Sequence, residues 1–311
     1  MGSRPEARAT GSSGGDAPRA EREGTDVAVV ILTQNEEANI GQALASVAGW
    51  ARQVFVLDSG STDHTLEIAV GFPCEIARHP FEGYSHQRNY ALENLPITTE
   101  WVFFLDADEW MPDALKWEIS GLILACPKEN GYFVKRRLVW MGKWIRRGYY
   151  PTWILRLFRR GKARCEDKAV NEHLIVDGKV GYLRNDFVHE DRKGVSAWIA
   201  KHNDYAAREA LELYGERSRP QSEIDASLFG TQPQRKRWIK HRIWNRLPPI
   251  LRPFAYFFYR YVLRGGFLDG KEAFIYHFLQ GLWFQFLIDV KYLELKAQSR
   301  ARGEDSPPTG E

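Results

Sequence analysis

Three short apolar runs do most to limit what this chain can fold into: residues 27–32 (VAVVIL), 54–57 (VFVL) and 101–105 (WVFFL). A strand without polar alternation must be covered on both faces, which is the setting of a parallel sheet between helical layers. The intervening segments have helical spacing. Ile40, Leu44 and Val47 fall on one side of a helix predicted over about 37–50, and further helices are predicted over about 63–70 and, after Pro112, about 113–124. Strand–helix alternation with short links predicts an α/β sheet of the doubly wound kind. After Gly131 the pattern changes. Residues 132–140 and 153–158 read as strands, and Asp177-Gly178 between two alternating runs in 174–183 (LIVDGKVGYL) predicts a hairpin. From about Ser196 the chain reads helical, with no internal repeat. The expected organisation is a disordered tail over 1–24, an α/β domain over 25–195, a helical region over 196–297 and a second tail over 298–311.

In an open α/β sheet, ligands bind beyond the carboxyl ends of the strands. The first run is followed by Thr33, Gln34, Asn35 and Glu36, the second by Asp58 through Asp63 (DSGSTD), and the third by Asp106, Ala107, Asp108 and Glu109. Three strand ends thus deliver polar and acidic groups to one edge. Asp106 and Asp108 repel one another unless a cation lies between them, and carboxylates of this kind suit Mg²⁺ or Mn²⁺. Alone, D-x-D is equally a solvated acidic turn or a helix cap before Pro112; the convergence of three strand ends makes it a candidate site. Gly60 permits an unusual turn. Ser61, Thr62 and Asp63 can cap the next helix, so Asp63 is explained by capping, whereas Asp58 ends its strand directly.

Composition narrows the class. With 44% hydrophobic and 27% charged residues in 311, the chain is globular rather than disordered. Cys74, Cys126 and Cys165 are too scattered for a disulfide framework or a zinc site, which predicts buried, inert thiols and a reducing compartment. Residues 1–24 lack the apolar segment of a signal peptide, and no clean apolar stretch of about 18 residues predicts a spanning helix. The net charge of +3 hides an uneven distribution: residues 231–268 hold nine Lys/Arg and no Asp or Glu, with Trp238, Trp244, Tyr256 and Tyr259 interleaved. Such charges contribute on the order of 1 kcal/mol each near anionic lipid, and Trp and Tyr favour the interface. The apolar stretch 273–290, interrupted by His277, Gln280, Gln285 and Asp289, then predicts a helix lying in a membrane interface. Nucleic acid would not need that stretch, so a membrane surface is the expected partner. A helical subdomain packed on the sheet is the competing reading. The patch at 140–147 (WMGKWIRR) suits either sugar rings and phosphates or loop packing.

The segments VAVVILTQNEE, VFVLDSGSTDHT, HQRNYAL and WVFFLDADEW resemble family 2 glycosyltransferases of the GT-A fold over about residues 26–125. MGKWIRRGYYP, LRLFRRGKARCED, VNEHLIVDGKVGYL, HEDRKG and GGFLDGKEAF extend the resemblance to about residue 295, toward the branch of lipopolysaccharide core β-1,4-glucosyltransferase-like proteins. The resemblance implies an inverting hexosyl transfer from a nucleotide-sugar, of the UDP class, to a lipopolysaccharide-core or lipid-linked acceptor at the inner face of the cytoplasmic membrane. It implies that Thr33, Asn35 and Glu36 flank the nucleotide, that Asp58 contacts its base or ribose, and that Arg88 and Asn89 lie near the donor. It also implies that Asp106 and Asp108 hold Mg²⁺ or Mn²⁺ against the diphosphate. His189 stands either as a further metal ligand or as a strand-end residue with a local hydrogen bond. The branch shows Val-His-Glu where this chain has Val170-Asn171-Glu172, making Glu172 the first candidate for the base and Asp167 its rival. The Q-x-x-R-W motif of processive synthases is absent, which suits single addition. A nucleotidyltransferase would carry a Gly-rich basic loop where Thr33 to Glu37 stands. A non-catalytic membrane-surface module need not keep clustered carboxylates.

Overall fold

The computed structural model describes residues 24–166, 173–216 and 247–302. The first apolar run becomes β1 (Thr25–Thr33), flanked by β2 (Ala51–Asp58) and β4 (Trp101–Asp106), with β3 (Glu75–Arg78) beyond β2. These four strands are mutually parallel. Helices α1 (Ile40–Val47), α2 (Thr65–Val70), α3 (Tyr84–Asn94) and α4 (Asp113–Leu124) connect and cover them. Because successive strand residues point to opposite faces, β1 contributes to two cores. Val27, Val29 and Ile31 meet Ile40, Leu44, Leu115 and Ile119 on one side. Ala28 and Val30 meet Phe55, Leu57, Ala91 and Leu95 on the other. The doubly covered run expected from the sequence is therefore explained residue by residue.

Beyond β4 the sheet turns mixed. β8 (Thr152–Arg159) runs antiparallel to both β4 and β6 (Gly131–Trp140), β11 (Val180–His189) is parallel to β6, and the two-residue β5 (Glu109–Trp110) closes the edge antiparallel to β11. β7 (Lys143–Trp144) folds back on β6. The hairpin expected at Asp177-Gly178 does not form. β10 (Leu174–Val176) pairs instead with β9 (Ala163–Cys165), while β11 joins the main sheet. The turn keeps its backbone conformation, with Gly178 at φ 109°, but Asn130 accepts the turn into another contact, donating its amide to Asp177 O at 2.6 Å. A turn signal specifies the local reversal; the partners of the two strands are chosen by distant chain. The thiols also differ from expectation: Cys165 is buried, Cys74 is partly covered and Cys126 is exposed, and none of the three is in a disulfide.

The helical region comprises α5 (Gly194–Glu216), α6 (Leu251–Phe257), α7 (Lys271–Tyr276) and α8 (Phe284–Arg302), with π-helical turns at Phe258–Leu263 and His277–Trp283. The basic residues from 231 to 246 lie outside the described residues, as do 1–23 and 303–311. α8 continues to Arg302 and buries Ser299, past the boundary expected at 297. The region is fastened to the sheet. Trp140 is buried between Trp198 and Tyr276, at 5.5 and 5.4 Å between ring centroids. Asp269 accepts the backbone N–H groups of Arg146 and Arg147 at 2.7 Å each. Trp140 is thus a packing residue, while Trp144 lies between the guanidiniums of Arg137 and Arg146.

Two of the four polar residues that interrupt 273–290 do not face water as an interfacial helix would require. His277 and Asp289 are fully buried. Asp289 is bound by Arg252 Nε at 2.8 Å and by Ile250 N at 2.9 Å. The His277 ring fills a space left by Gly266, where a Cβ would lie 2.5 Å from its Nε2, and burial pushes its pKa down to about 4. Breaking a buried ion pair from one side leaves an uncompensated charge. Arg252→Met is expected to lower the unfolding free energy by about 3–5 kcal/mol, with most of the loss recovered in Arg252→Met/Asp289→Leu. Urea denaturation of the three proteins measures both.

Candidate active site

The parallel register sets the edge. Thr33 lies opposite Asp58 and Leu32 opposite Asp106, so the ends of β1, β2 and β4 open to the same side. Asp58 is 1% exposed. Its carboxylate accepts the N–H groups of Gly60 and Ser61 at 3.1 Å and the Ser61 hydroxyl at 2.5 Å. It shapes the loop after β2, with Gly60 at φ 90°. Asn35, itself at φ 54°, ties this loop to the first one: its Oδ1 accepts Thr62 N at 2.8 Å and its N donates to Ser61 Oγ at 2.9 Å. Asp63 caps α2 by accepting Thr65 N at 3.0 Å, as capping alone required. Thr33 Oγ1 is buried with no hydrogen-bond partner.

Glu36 turns inward. It accepts Asn39 Nδ2 at 2.7 Å and Lys193 Nζ at 2.5 Å. Burial first, and then the Asp108 charge, raise its pKa against the pull of Lys193. Asn89, implied to lie near the donor, is partly exposed and has a structural task as well. It exchanges two hydrogen bonds with the backbone of Cys165, at 2.8 and 3.2 Å, and so anchors β9 to α3.

The third strand end carries the densest charge. Asp106 Oδ1 pairs with Arg88 Nη2 at 3.1 Å and Oδ2 with Arg156 Nη2 at 2.8 Å. Arg156, 4% exposed on β8, also reaches Glu109 Oε1 at 2.7 Å. Glu109 closes the loop by accepting Asp106 N at 3.0 Å. Burial works against the ionised Asp106, yet Arg156 and Arg88 hold its carboxyl well below the usual range. Burial likewise opposes ionisation of Asp108, and His189, Lys201 and Lys193 prevail to hold it far below that range. Glu109 goes the other way, pushed up to about 7 by burial despite Arg156.

The two-residue ladder between β5 and β11 sets His189 opposite Glu109, and Glu190 N donates to Asp108 O at 2.9 Å. His189 Nδ1 thereby lies 3.4 Å from Asp108 Oδ1 and 3.9 Å from Glu109 Oε1, without a hydrogen-bond partner. Ligand atoms of Asp108, Glu109 and His189 all fall within 4.8 Å of one another. Two carboxylates and an imidazole form a donor set suited to Mn²⁺ or Mg²⁺, and the partnerless buried imidazole nitrogen fits such an ion.

The sequence pairs Asp106 with Asp108 as metal ligands and leaves His189 as either a further ligand or a strand-end residue with a local hydrogen bond. The structure gathers Asp108 and His189, adds Glu109, and gives both oxygens of Asp106 to guanidiniums. Arg156 and Glu109 were missed as members of the site; Arg156 lies mid-strand in an apolar run with no local signal, whereas Glu109 directly follows D-x-D. Lys201 of α5, 3.9 Å from Asp108, was missed too. Glu172 and Asp167 lie outside the described residues.

The pattern of glycosyl transferase family 2 matches residues 28–164. Lipopolysaccharide core biosynthesis glycosyltransferase LpsC of Rhizobium meliloti is 32% identical over 202 residues, covering 61% of this chain and 72% of that protein. An uncharacterized glycosyltransferase of Rickettsia bellii is 25% identical over 90% of both chains. Among solved structures, mannosyltransferase PcManGT of Pyrobaculum calidifontis, in complex with GDP-Man and Mn²⁺, aligns over 86% of this chain and 87% of its own, with 17% identity and a TM-score of 0.49. The chain belongs to glycosyl transferase family 2, and it is an enzyme of that class.

Arg156→Ala strands Glu109 and half of Asp106 in a buried setting. It is expected to cost about 3–5 kcal/mol of stability. Arg88→Ala is expected to cost less, because the side chain of its partner Asp106 is 34% exposed. Paired denaturation curves decide the order.

Proposed function

We propose that this family 2 glycosyltransferase moves a hexose from a UDP-class nucleotide-sugar onto a cell-envelope glycan, a lipopolysaccharide core or lipid-linked sugar, with inversion at the anomeric carbon. The observation that carries this reading is the cluster of Asp108, Glu109 and His189 at the carboxyl edge of a parallel sheet. The name of the Rhizobium relative supports the acceptor class. Three cysteines outside any disulfide suit the cytoplasmic side of the membrane.

In the displacement, the acceptor oxygen bonds to the anomeric carbon as the bond from that carbon to the diphosphate oxygen breaks. The electron pair leaves with the nucleoside diphosphate, and the acceptor proton passes to a carboxylate, Glu172 in our assignment. A divalent ion held by Asp108, Glu109 and His189 would supply positive charge against the diphosphate. The chain adds cations of its own there: Lys193 beside Glu36 and Lys201 beside Asp108. Fixed positive charge where the leaving group gains negative charge lowers the barrier without reorganisation. Arg156 holds the loop that carries Asp106, Asp108 and Glu109 in one conformation, which is the positioning that in-line transfer requires.

Calorimetry with UDP, GDP, CDP and TDP, each with and without Mn²⁺, tests the donor. Metal-dependent binding of UDP is expected, and Asp108→Asn is expected to abolish it in a protein that remains folded by circular dichroism. Failure of all four nucleotides to bind would remove the reading.

Glu172→Gln is expected to slow turnover by about 10²–10⁴-fold, the usual contribution of a general base, with UDP binding retained. The same loss in Asp167→Asn, with Glu172→Gln unaffected, would transfer the role to Asp167. Steady-state kinetics on both variants separates the two.

A further inference from the structure

The segment from Leu251 to Phe278 is built inside out. Three of its charged and polar members, Arg252, Asp269 and His277, point into the protein and are buried. Arg252 is bound to Asp289, Asp269 to the backbone of Arg146 and Arg147. Its large apolar members point outward. Leu251, Phe254 and Phe258 recur at helical spacing and are 63, 52 and 53% exposed. Leu263, Phe267 and Leu268, in the connection between α6 and α7, are 67, 50 and 60% exposed. Ring contacts link α6, the connection and α7: Tyr261 meets Phe257 at 5.2 Å, Phe267 at 6.3 Å and Phe274 at 5.5 Å. Single exposed apolar residues need no explanation, but a contiguous set of them marks a contact surface.

Charge selects what the surface contacts. Arg264 and Lys271 are exposed beside Leu263, Phe267 and Leu268, Arg147 lies 3.4 Å from where a Gly265 Cβ would stand, and Lys143 flanks Gly270. Asp269 pairs with Arg147 at 2.7 Å, and Glu272 pairs with Lys143 at 3.3 Å and with Lys271 at 3.9 Å, so these four cations face two acids and the surface keeps a positive surplus. A second copy seated here by two-fold symmetry would set one cationic rim against another. Residues 231–246, basic and without an acid, would be repelled likewise. Apolar side chains at the level of acyl chains with cations at the level of phosphates match an anionic bilayer surface. Among the described residues, no helix is long and apolar enough to cross a membrane.

We propose that the face formed by α6, the connection carrying Leu263, Phe267 and Leu268, and α7 docks the enzyme on an anionic bilayer, inserting these side chains shallowly with Arg264 and Lys271 at the headgroups. Because the same region is fastened to the sheet through Trp140, Asp269 and α5, docking fixes the catalytic edge relative to the membrane. The proposal stands apart from the donor assignment: it concerns a surface that holds none of the metal or nucleotide candidates.

Flotation of the full-length protein with phosphatidylcholine vesicles containing phosphatidylglycerol tests it. Wild type is expected to float, more weakly with pure phosphatidylcholine. Leu263→Ser/Leu268→Ser is expected to reduce the bound fraction on the order of tenfold and Arg264→Glu to reduce it and to flatten its salt dependence. UDP binding and melting temperature are expected to stay as in wild type. Wild-type protein that does not float, or variants that float equally well, would overturn the proposal. So would a wild-type dimer that the Leu263→Ser/Leu268→Ser change dissociates, or loss of nucleic-acid binding in its place.

Discussion

A buried guanidinium holds the acidic edge together. Glu36, Asp58, Asp106, Asp108 and Glu109 converge where three strands end, and burying carboxylates costs several kcal/mol per ion unless each finds a partner. Asp58 is satisfied by its own loop, Glu36 by Lys193, and Asp108 faces His189 and Lys201. Asp106 and Glu109 share Arg156. Arg156 arrives from β8, the strand at which the sheet changes from parallel to mixed. The change of sheet topology is therefore what brings a cation beneath the D-x-D loop.

The short ladder between β5 and β11 completes the arrangement. Two residue pairs suffice to place His189 against Asp108 and Glu109, and the backbone bond from Glu190 to Asp108 fixes the spacing. The chain then enters α5, from which Lys201 points back toward Asp108. One continuous stretch, β11 into α5, thus supplies the imidazole and one amine of the site, and Lys193 between them supplies another. That stretch also ties catalysis to the helical region, since α5 carries Trp198 against Trp140 and Trp283.

The helical region solves a different problem. Most helices hide apolar residues and show polar ones to water. Between Leu251 and Phe278 part of the pattern is inverted, with Arg252, Asp269 and His277 inside and six large apolar side chains at least half exposed, and Arg252–Asp289 makes this tolerable by pairing charges that turn inward. Two of the polar residues that suggested an interfacial helix from sequence, His277 and Asp289, are instead buried, and Asp289 anchors the region to the protein through Arg252 and the backbone of Ile250.

The covered strands, their order along the chain and the acidic character of the strand ends were legible in the sequence, because buried parallel strands leave unbroken apolar runs and D-x-D stands in plain view after one of them. The family motifs named Asp58, Asp106 and Asp108 as candidates, and His189 stood as one of two alternatives. The tertiary structure decided which groups share a partner. It gave Asp106 to Arg88 and Arg156, set Glu109 beside His189, used Asn89 to hold β9, and sent β10 and β11 to different sheets across a turn that reads as a hairpin. Local sequence encodes the conformation of a segment. Pairing between residues dozens of positions apart follows from packing and charge compensation, which no window of sequence contains.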